Sequence, residues 1–193
     1  MKIVTNHLED VLEIRSARFG DARGSYEVTY EVAAAALVGI SRPFVQDGHS
    51  ISAPAGTIRG LHLQLAPFSQ GKLVRVVSGR ILDVVVDVRS GSDRRGEHAA
   101  IELDGRSGHQ LWIPRGFAHG FCTLEPNTEV VYKVDYAYTP SAERSLAWND
   151  PTLGIDWPVS ESEATLTDKD RDGLSYQQII DEIDGLDRHG SAT

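Results

Sequence analysis

The stretch TIRGLHLQ, residues 57–64, sets an arginine and a histidine three positions apart in a segment that alternates like a β-strand. Successive side chains of a strand point to opposite faces. A regular strand therefore sends Arg59 and His62 apart and puts His62 and Gln64 on one face. An imidazole there can ligate a metal, take a proton near neutral pH, or pack with its ring nitrogens hydrogen-bonded. A guanidinium fork matches the oxygens of a phosphate. Arg59 and His62 can serve one ligand only if the strand bends, and Gly60 between them is where a bend or bulge is expected.

The elements that must position these groups are mostly strands. FVQDGHSIS, TIRGLHLQ, KLVRVV, RILDVVVDV, HAAIEL, HQLWI, HGFCTL and EVVYKVDYAY are short and rich in β-branched and aromatic residues. Turn signals separate them at Ser78-Gly79, Asp104-Gly105 and Pro114-Arg115-Gly116. KIVTNHL and VLEIRSARF add strands before the turn GDARG. Such a series predicts a mainly β sandwich or barrel of the jelly-roll kind. Short helices are expected over 29–38, where Ala-rich sequence precedes Gly39, and over 175–183, capped by Ser175. The polar residues 184–193 are expected to fray. There is no βαβ alternation, no GxGxxG and no GxxxxGK[ST].

The chain has 193 residues, enough for a single domain over 1–193 with a sizeable core. Its net charge of −9 argues against nucleic acid as a partner, because a phosphate backbone needs a basic face. A few arginines focused in a cleft can still hold a diphosphate. No apolar run approaches a membrane span, and the N-terminus lacks an apolar signal segment. One cysteine, Cys122, excludes an intrachain disulfide and a cysteine-based zinc cluster. Together these predict a cytoplasmic protein. Cys122 is expected to be a small core residue, and Trp112, Trp148 and Trp157 to serve packing.

PRGFAHGF, residues 114–121, has the PxGxxH form of the second cupin motif. Many cupins hold a metal through that histidine together with an HxH pair and a glutamate. Here the earlier segment reads GLHLQ, with Gln64 where a second histidine would stand. An amide is a poor transition-metal ligand beside imidazole, and one histidine from each motif leaves too few ligands for a tight site. No metal is expected.

Six segments, in order, resemble the dTDP-4-dehydrorhamnose 3,5-epimerase family of nucleotide-sugar epimerases: FVQDGHS, IRGLHLQ, QGKLVRVVSGRILDVVVDVR, LWIPRGFAHGF, VYKVDYAYTP and WNDPTLGIDWP. The resemblance covers nearly the whole chain, from FGDARG to LTDKD. It implies a cupin-type jelly roll that needs no cofactor and forms a homodimer by strand exchange, with residues 1–28 at the interface. The implied substrate is a nucleoside-diphosphate 4-keto-6-deoxy sugar. By the same resemblance His62 is the general base and Asp170 its partner carboxylate. Tyr138 is the opposing proton donor and Lys72 the cation beside the sugar. Arg23 and Arg59 hold the diphosphate, and Gln46, His119 and Tyr132 line the pocket.

These residue types suit the chemistry. A ketone at C4 acidifies the protons on C3 and C5. Histidine starts near the right pKa to remove them, and a carboxylate on its far nitrogen fixes the tautomer. A cation in a dry pocket stabilises the enolate. Tyr132, Tyr136 and Tyr138 would share a face if the strand were regular; Tyr136 is expected to be core. Two positions depart from the family pattern. Its glutamate five residues after Arg23 is Val28 here, with Glu27 one residue earlier, and its QDNHS reads QDGHS, with Gly48. Both departures fall where the resemblance places nucleotide contacts, so altered base recognition is expected. Epimerisation at only one centre, a metal-dependent cupin enzyme and a non-catalytic sugar-binding cupin are the competing readings.

Overall fold

In the computed structural model, which describes residues 1–190, two antiparallel sheets face each other. One runs in the order β1 (Lys2–His7), β2 (Val11–Arg15), β10 (His109–Ile113), β7 (Lys72–Ser78), β12 (Thr128–Val134) and β5 (Gln46–Ser52). The other runs β13 (Glu143–Ser145), β6 (Ile58–Gln64), β11 (Phe117–Thr123), β8 (Arg80–Asp87) and β9 (His98–Asp104). A separate hairpin joins β3 (Arg18–Asp21) to β4 (Gly24–Glu27) across the GDARG turn. This is the expected cupin-type jelly roll.

Alternation explains the packing. Inward residues such as Val74, Val76, Val85, Phe117, Phe121 and Val130 fill the space between the sheets. The opposite face of the second sheet presents Leu61, Leu63, Val84, Val86 and Ala118 to Ile179 and Ile180 of the C-terminal helix. β8 is thus buried on both faces, which is why RILDVVVDV reads as an almost continuous apolar run. The outer face of the first sheet is covered through Ala35, Val38 and Ile40, which pack on Ile14 and Leu73. Trp148 and Trp157 meet edge-on, as do Phe44 and Trp112, in the packing roles expected of the tryptophans.

The helices and one strand differ from expectation in extent. α1 spans only Val32–Ala36, and Gly39, at φ +86°, turns the chain away from it. α2 (Asp168–Arg171) is a single turn capped by Thr167. α3 (Tyr176–Gly190) starts where Ser175 predicts. The Ser175 hydroxyl accepts from the Gln178 N–H, and the Gln178 side chain accepts from the Ser175 N–H, a capping box. α3 then continues through residues 184–190, which were expected to fray. Ion pairs of Arg144 with Glu182 and Arg95 with Asp184 tie it to the barrel. The rest of the expected frayed tail, 191–193, lies outside the described residues. β12 ends at Val134, not at Tyr138. Beyond it Asp135 accepts from the Gly71 N–H and pairs with Arg115, which ends the ladder. Among the described residues, no helix is long and apolar enough to cross a membrane.

Candidate active site

β6 changes face in its middle. Ile58 and Leu61 belong to the outward clusters, yet Arg59 and His62 both line the barrel cleft. On the paired strand β11, His119 faces His62 and Phe121 faces Arg59, so three steps along β6 match two along β11. The extra residue is a bulge at Gly60, whose φ is +117° and whose missing Cβ would meet the Gly120 Cα at 2.6 Å. The expected bend therefore brings Arg59 and His62 to one side.

Asp170 reaches His62 from the other end of the chain. Ile58 donates to the Thr165 carbonyl and Thr165 to that of Gly56. Leu174 donates to Ser145 and Ala147 to Leu174. These bonds stitch residues 165–174 onto β6 and β13, with α2 between them. His62 Nε2 then lies 2.5 Å from Asp170 Oδ1, and the Thr167 hydroxyl donates to Oδ2 at 2.8 Å. Burial by itself raises the Asp170 carboxyl. The hydrogen bond and charge of His62, the Thr167 hydroxyl and the Gly60 N–H together outweigh it and hold the carboxyl below its ordinary value. Asp170 is thus an ionised acceptor that orients His62 through Nε2 and leaves Nδ1 for a ligand.

Lys72 lies in the same cleft, its ammonium 3.4 Å from the His62 carbonyl oxygen. Burial pushes its pKa down to about 8, against the attraction of Asp83 and Glu143. It stays mostly charged at neutral pH. His119 is buried and pairs with the fully buried Asp83 at 3.0 Å. Burial lowers the His119 pKa despite that carboxylate, with Lys72 and His62 adding to the effect.

The three tyrosines separate because β12 ends at Val134, after Tyr132 and before the other two. Tyr132 remains on the strand and lines the cleft. Among the described residues its hydroxyl has no hydrogen-bond partner. Tyr136, expected to be core, is only partly buried and packs edge-on against Phe68. Tyr138 stands half-exposed at the mouth, where its hydroxyl donates to Glu143 at 2.7 Å. That hydrogen bond raises the Tyr138 pKa. The other Glu143 oxygen pairs with Lys169 at 2.5 Å. Two glutamines hold this mouth. Gln46 accepts from the Tyr138 N–H at 3.0 Å. Gln64 accepts from the Thr139 N–H at 2.6 Å and donates to the carbonyls of Phe68 and Ala137. Gln64, at the place of a metal-ligand histidine, is thus committed to the backbone.

The cleft has a volume of about 370 Å³, within the range of small-molecule sites. It gathers His62, Asp170, Lys72, Tyr138, Arg59, Gln46, His119 and Tyr132. Arg23 is not among them. It sits at the tip of the β3–β4 hairpin, highly exposed, in a surface ion pair with Asp21 at 2.6 Å. Glu27 does not substitute for a glutamate at position 28, because both its oxygens accept from Arg18 in a hairpin without a register shift. Arg59 is steadied by the Ser52 hydroxyl at 3.1 Å. Cys122 is fully buried, and burial pushes its thiol up to about 11. Sequence reasoning missed Asp83, Glu143 and Lys169. Asp83 had a signal, since a carboxylate inside an apolar strand needs a partner; Glu143 and Lys169 had none.

The sequence profile described as dTDP-4-dehydrorhamnose 3,5-epimerase matches residues 5–178. A protein of that name from Shigella flexneri is 41% identical over 177 residues, covering 91% of this chain and 96% of the relative. The crystal structure of a Legionella pneumophila dTDP-6-deoxy-D-glucose-3,5-epimerase, in complex with dTDP-4-keto-L-rhamnose, superposes with a TM-score of 0.88 at 37% identity. It covers 94% of this chain and 96% of that one. A 3'-monoepimerase from Streptomyces bikiniensis in complex with dTDP has a TM-score of 0.81 at 26% identity, covering 94% and 96% of the two chains. That protein is a double mutant at one histidine and one tyrosine, spaced as His62 and Tyr132 are here. Profile, identity and fold agree over nearly the whole length, and the chain belongs to the dTDP-4-dehydrorhamnose 3,5-epimerase family.

Proposed function

We propose that this chain is an isomerase that inverts C3 and C5 of dTDP-4-keto-6-deoxy-glucose through an enolate, giving dTDP-4-keto-L-rhamnose. The observation that carries the reading is the His62–Asp170 pair opening into a cleft that also holds Lys72 and two tyrosines. His62 Nδ1 takes the proton from the carbon beside the ketone. The C–H electron pair moves into the C4 carbonyl, whose oxygen becomes the enolate. The Lys72 ammonium stabilises that charge. A tyrosine hydroxyl then protonates the carbon on the opposite face, and imidazolium and tyrosinate reset through solvent. His119 and Gln46 line the sugar's surroundings, and Arg59 faces the diphosphate.

The resemblance assigned the proton donor to Tyr138. Three observations favour Tyr132. Tyr138 already donates to Glu143, and that carboxylate makes it a weaker acid. Among the described residues nothing bonds the Tyr132 hydroxyl, which faces the cleft. The paired histidine and tyrosine of the Streptomyces bikiniensis protein have the His62–Tyr132 spacing. In this reading Tyr138 shapes the mouth.

The chain functions as a cytoplasmic homodimer in this proposal. Phe19, Tyr26 and Val28 are exposed on or beside the β3–β4 hairpin, an apolar surface suited to a second copy. The same hairpin carries Arg23 away from its own cleft, so Arg23 would contact the diphosphate in the partner subunit. Greater identity to 3,5-epimerases than to the monoepimerase favours inversion at two centres.

Incubation with dTDP-4-keto-6-deoxy-glucose in deuterium oxide, followed by NMR, tests the reading. Deuterium at C3 and C5 with inversion is expected. Label at one carbon means a single-centre epimerase. No label with this sugar or with its UDP, GDP and CDP counterparts defeats the proposal.

A further inference from the structure

Gly48 on β5 and Tyr132 on β12 are directly opposed across the antiparallel pair. Nothing in the backbone requires glycine there, because the φ of Gly48 lies outside the left-handed region. The reason for the small residue is the ring. A Cβ at position 48 would fall 2.3 Å from Tyr132 Cζ, 2.5 Å from Cε2 and 2.6 Å from the hydroxyl oxygen. The volume of a side chain at 48 is thus occupied by the hydroxyl end of Tyr132. The next residues on that face of β5, Gln46 and Ser50, line the cleft.

We propose that Gly48 is a positioning residue: the missing side chain lets the Tyr132 hydroxyl rest against β5, and this sets the point from which the proton is delivered. The inference rests on Tyr132 as the donor. Ordinary contact begins at 3.4 Å, so even a methyl group at 48 must move the hydroxyl end by about 1 Å. The ring can swing while β5 stays in place, because the contacts are all with its far end. The effect of a substitution therefore falls on the position of one oxygen and not on the fold. Gly48 is also where this chain departs from the asparagine of the QDNHS pattern. Tyr132 now takes that space, so restoring asparagine alone displaces the ring.

The test compares Gly48→Ala, Tyr132→Phe and the double variant in deuterium oxide, scoring exchange and inversion separately by NMR. His62 can remove a proton and return a deuteron to the same face without a donor opposite. Gly48→Ala is expected to lose inversion by ~10- to 100-fold while exchange stays within about threefold of the parent. In the Tyr132→Phe background Gly48→Ala adds nothing further. Parental inversion in Gly48→Ala, with inversion lost in Tyr132→Phe, overturns the positioning role. Parental inversion in Tyr132→Phe means instead that the donor assignment has failed. Independently of any variant, the unaltered protein is expected to show a nuclear Overhauser effect between the Gly48 α-protons and the Tyr132 ring. Its absence overturns the proposal even if Gly48→Ala does not fold.

Discussion

His62 Nε2 and Asp170 Oδ1 lie 2.5 Å apart across 108 positions of sequence. The contact exists because residues 165–174 are bonded to β6 on one side and β13 on the other. His62→Ala is expected to lower kcat by ~10²–10⁴-fold, the usual worth of a general base. Asp170→Asn removes the ionised acceptor and should cost on the order of 10³-fold. Steady-state rates with circular dichroism as a folding control measure both.

Asp170 also gives acid stability a sign. Its carboxyl is held below its ordinary value in the fold, so its contribution is present above the unfolded carboxylate pKa. It is lost as pH falls through the folded value. The parent should lose more melting temperature than Asp170→Asn as pH is lowered through the ordinary carboxylate range. Parallel curves in a thermal scan would contradict this.

Lys72 must be charged to stabilise an enolate, and burial brings its pKa to about 8. The rate should therefore fall on the alkaline side with a midpoint near that value in the free enzyme. Lys72→Met should cut kcat by ~10²–10³-fold. Because burial disfavours the charged form, the same variant should melt a few degrees higher than the parent at neutral pH, roughly the gain seen when a functional charge is removed. A lower melting temperature would count against burial as the cause.

Gln64 makes three bonds to backbone atoms around the cleft mouth. Gln64→Ala leaves a buried N–H and carbonyls unpaired, at a cost of about 1–3 kcal/mol. Lower stability and a higher KM are expected, with kcat less affected, as measured by denaturant melts and substrate titration.

Val28 and Gly48 remove two polar side chains from the nucleotide positions implied by the family pattern, and Glu27 is held by Arg18. Discrimination between dTDP and UDP should therefore fall below about tenfold. Calorimetric Kd values for the two nucleotides check this.

By itself the sequence determined the two-residue rhythm of the strands, the strand at RILDVVVDV, the helix start at Ser175 and the set of family motifs. These are local properties, set by side-chain alternation, turn chemistry and short-range hydrogen bonds. The bend at Gly60 was legible too, because only glycine accepts that backbone beside β11. The tertiary structure decided what depended on distant partners. Glu143 and Lys169 meet because α2 packs on β6, the sheet neighbour of β13, and no spacing announces that contact. Tyr132 and Tyr138 look equivalent along an alternating strand. The ladder ends at Asp135, where a side chain takes over the hydrogen bonding, and the two hydroxyls part. Arg23 reads as a phosphate ligand from its motif, yet its hairpin carries it out of its own cleft. Chemistry could be read from residue types, but which group faces which, and which hydroxyl stays free, followed from strand endings and packing that act across the whole chain.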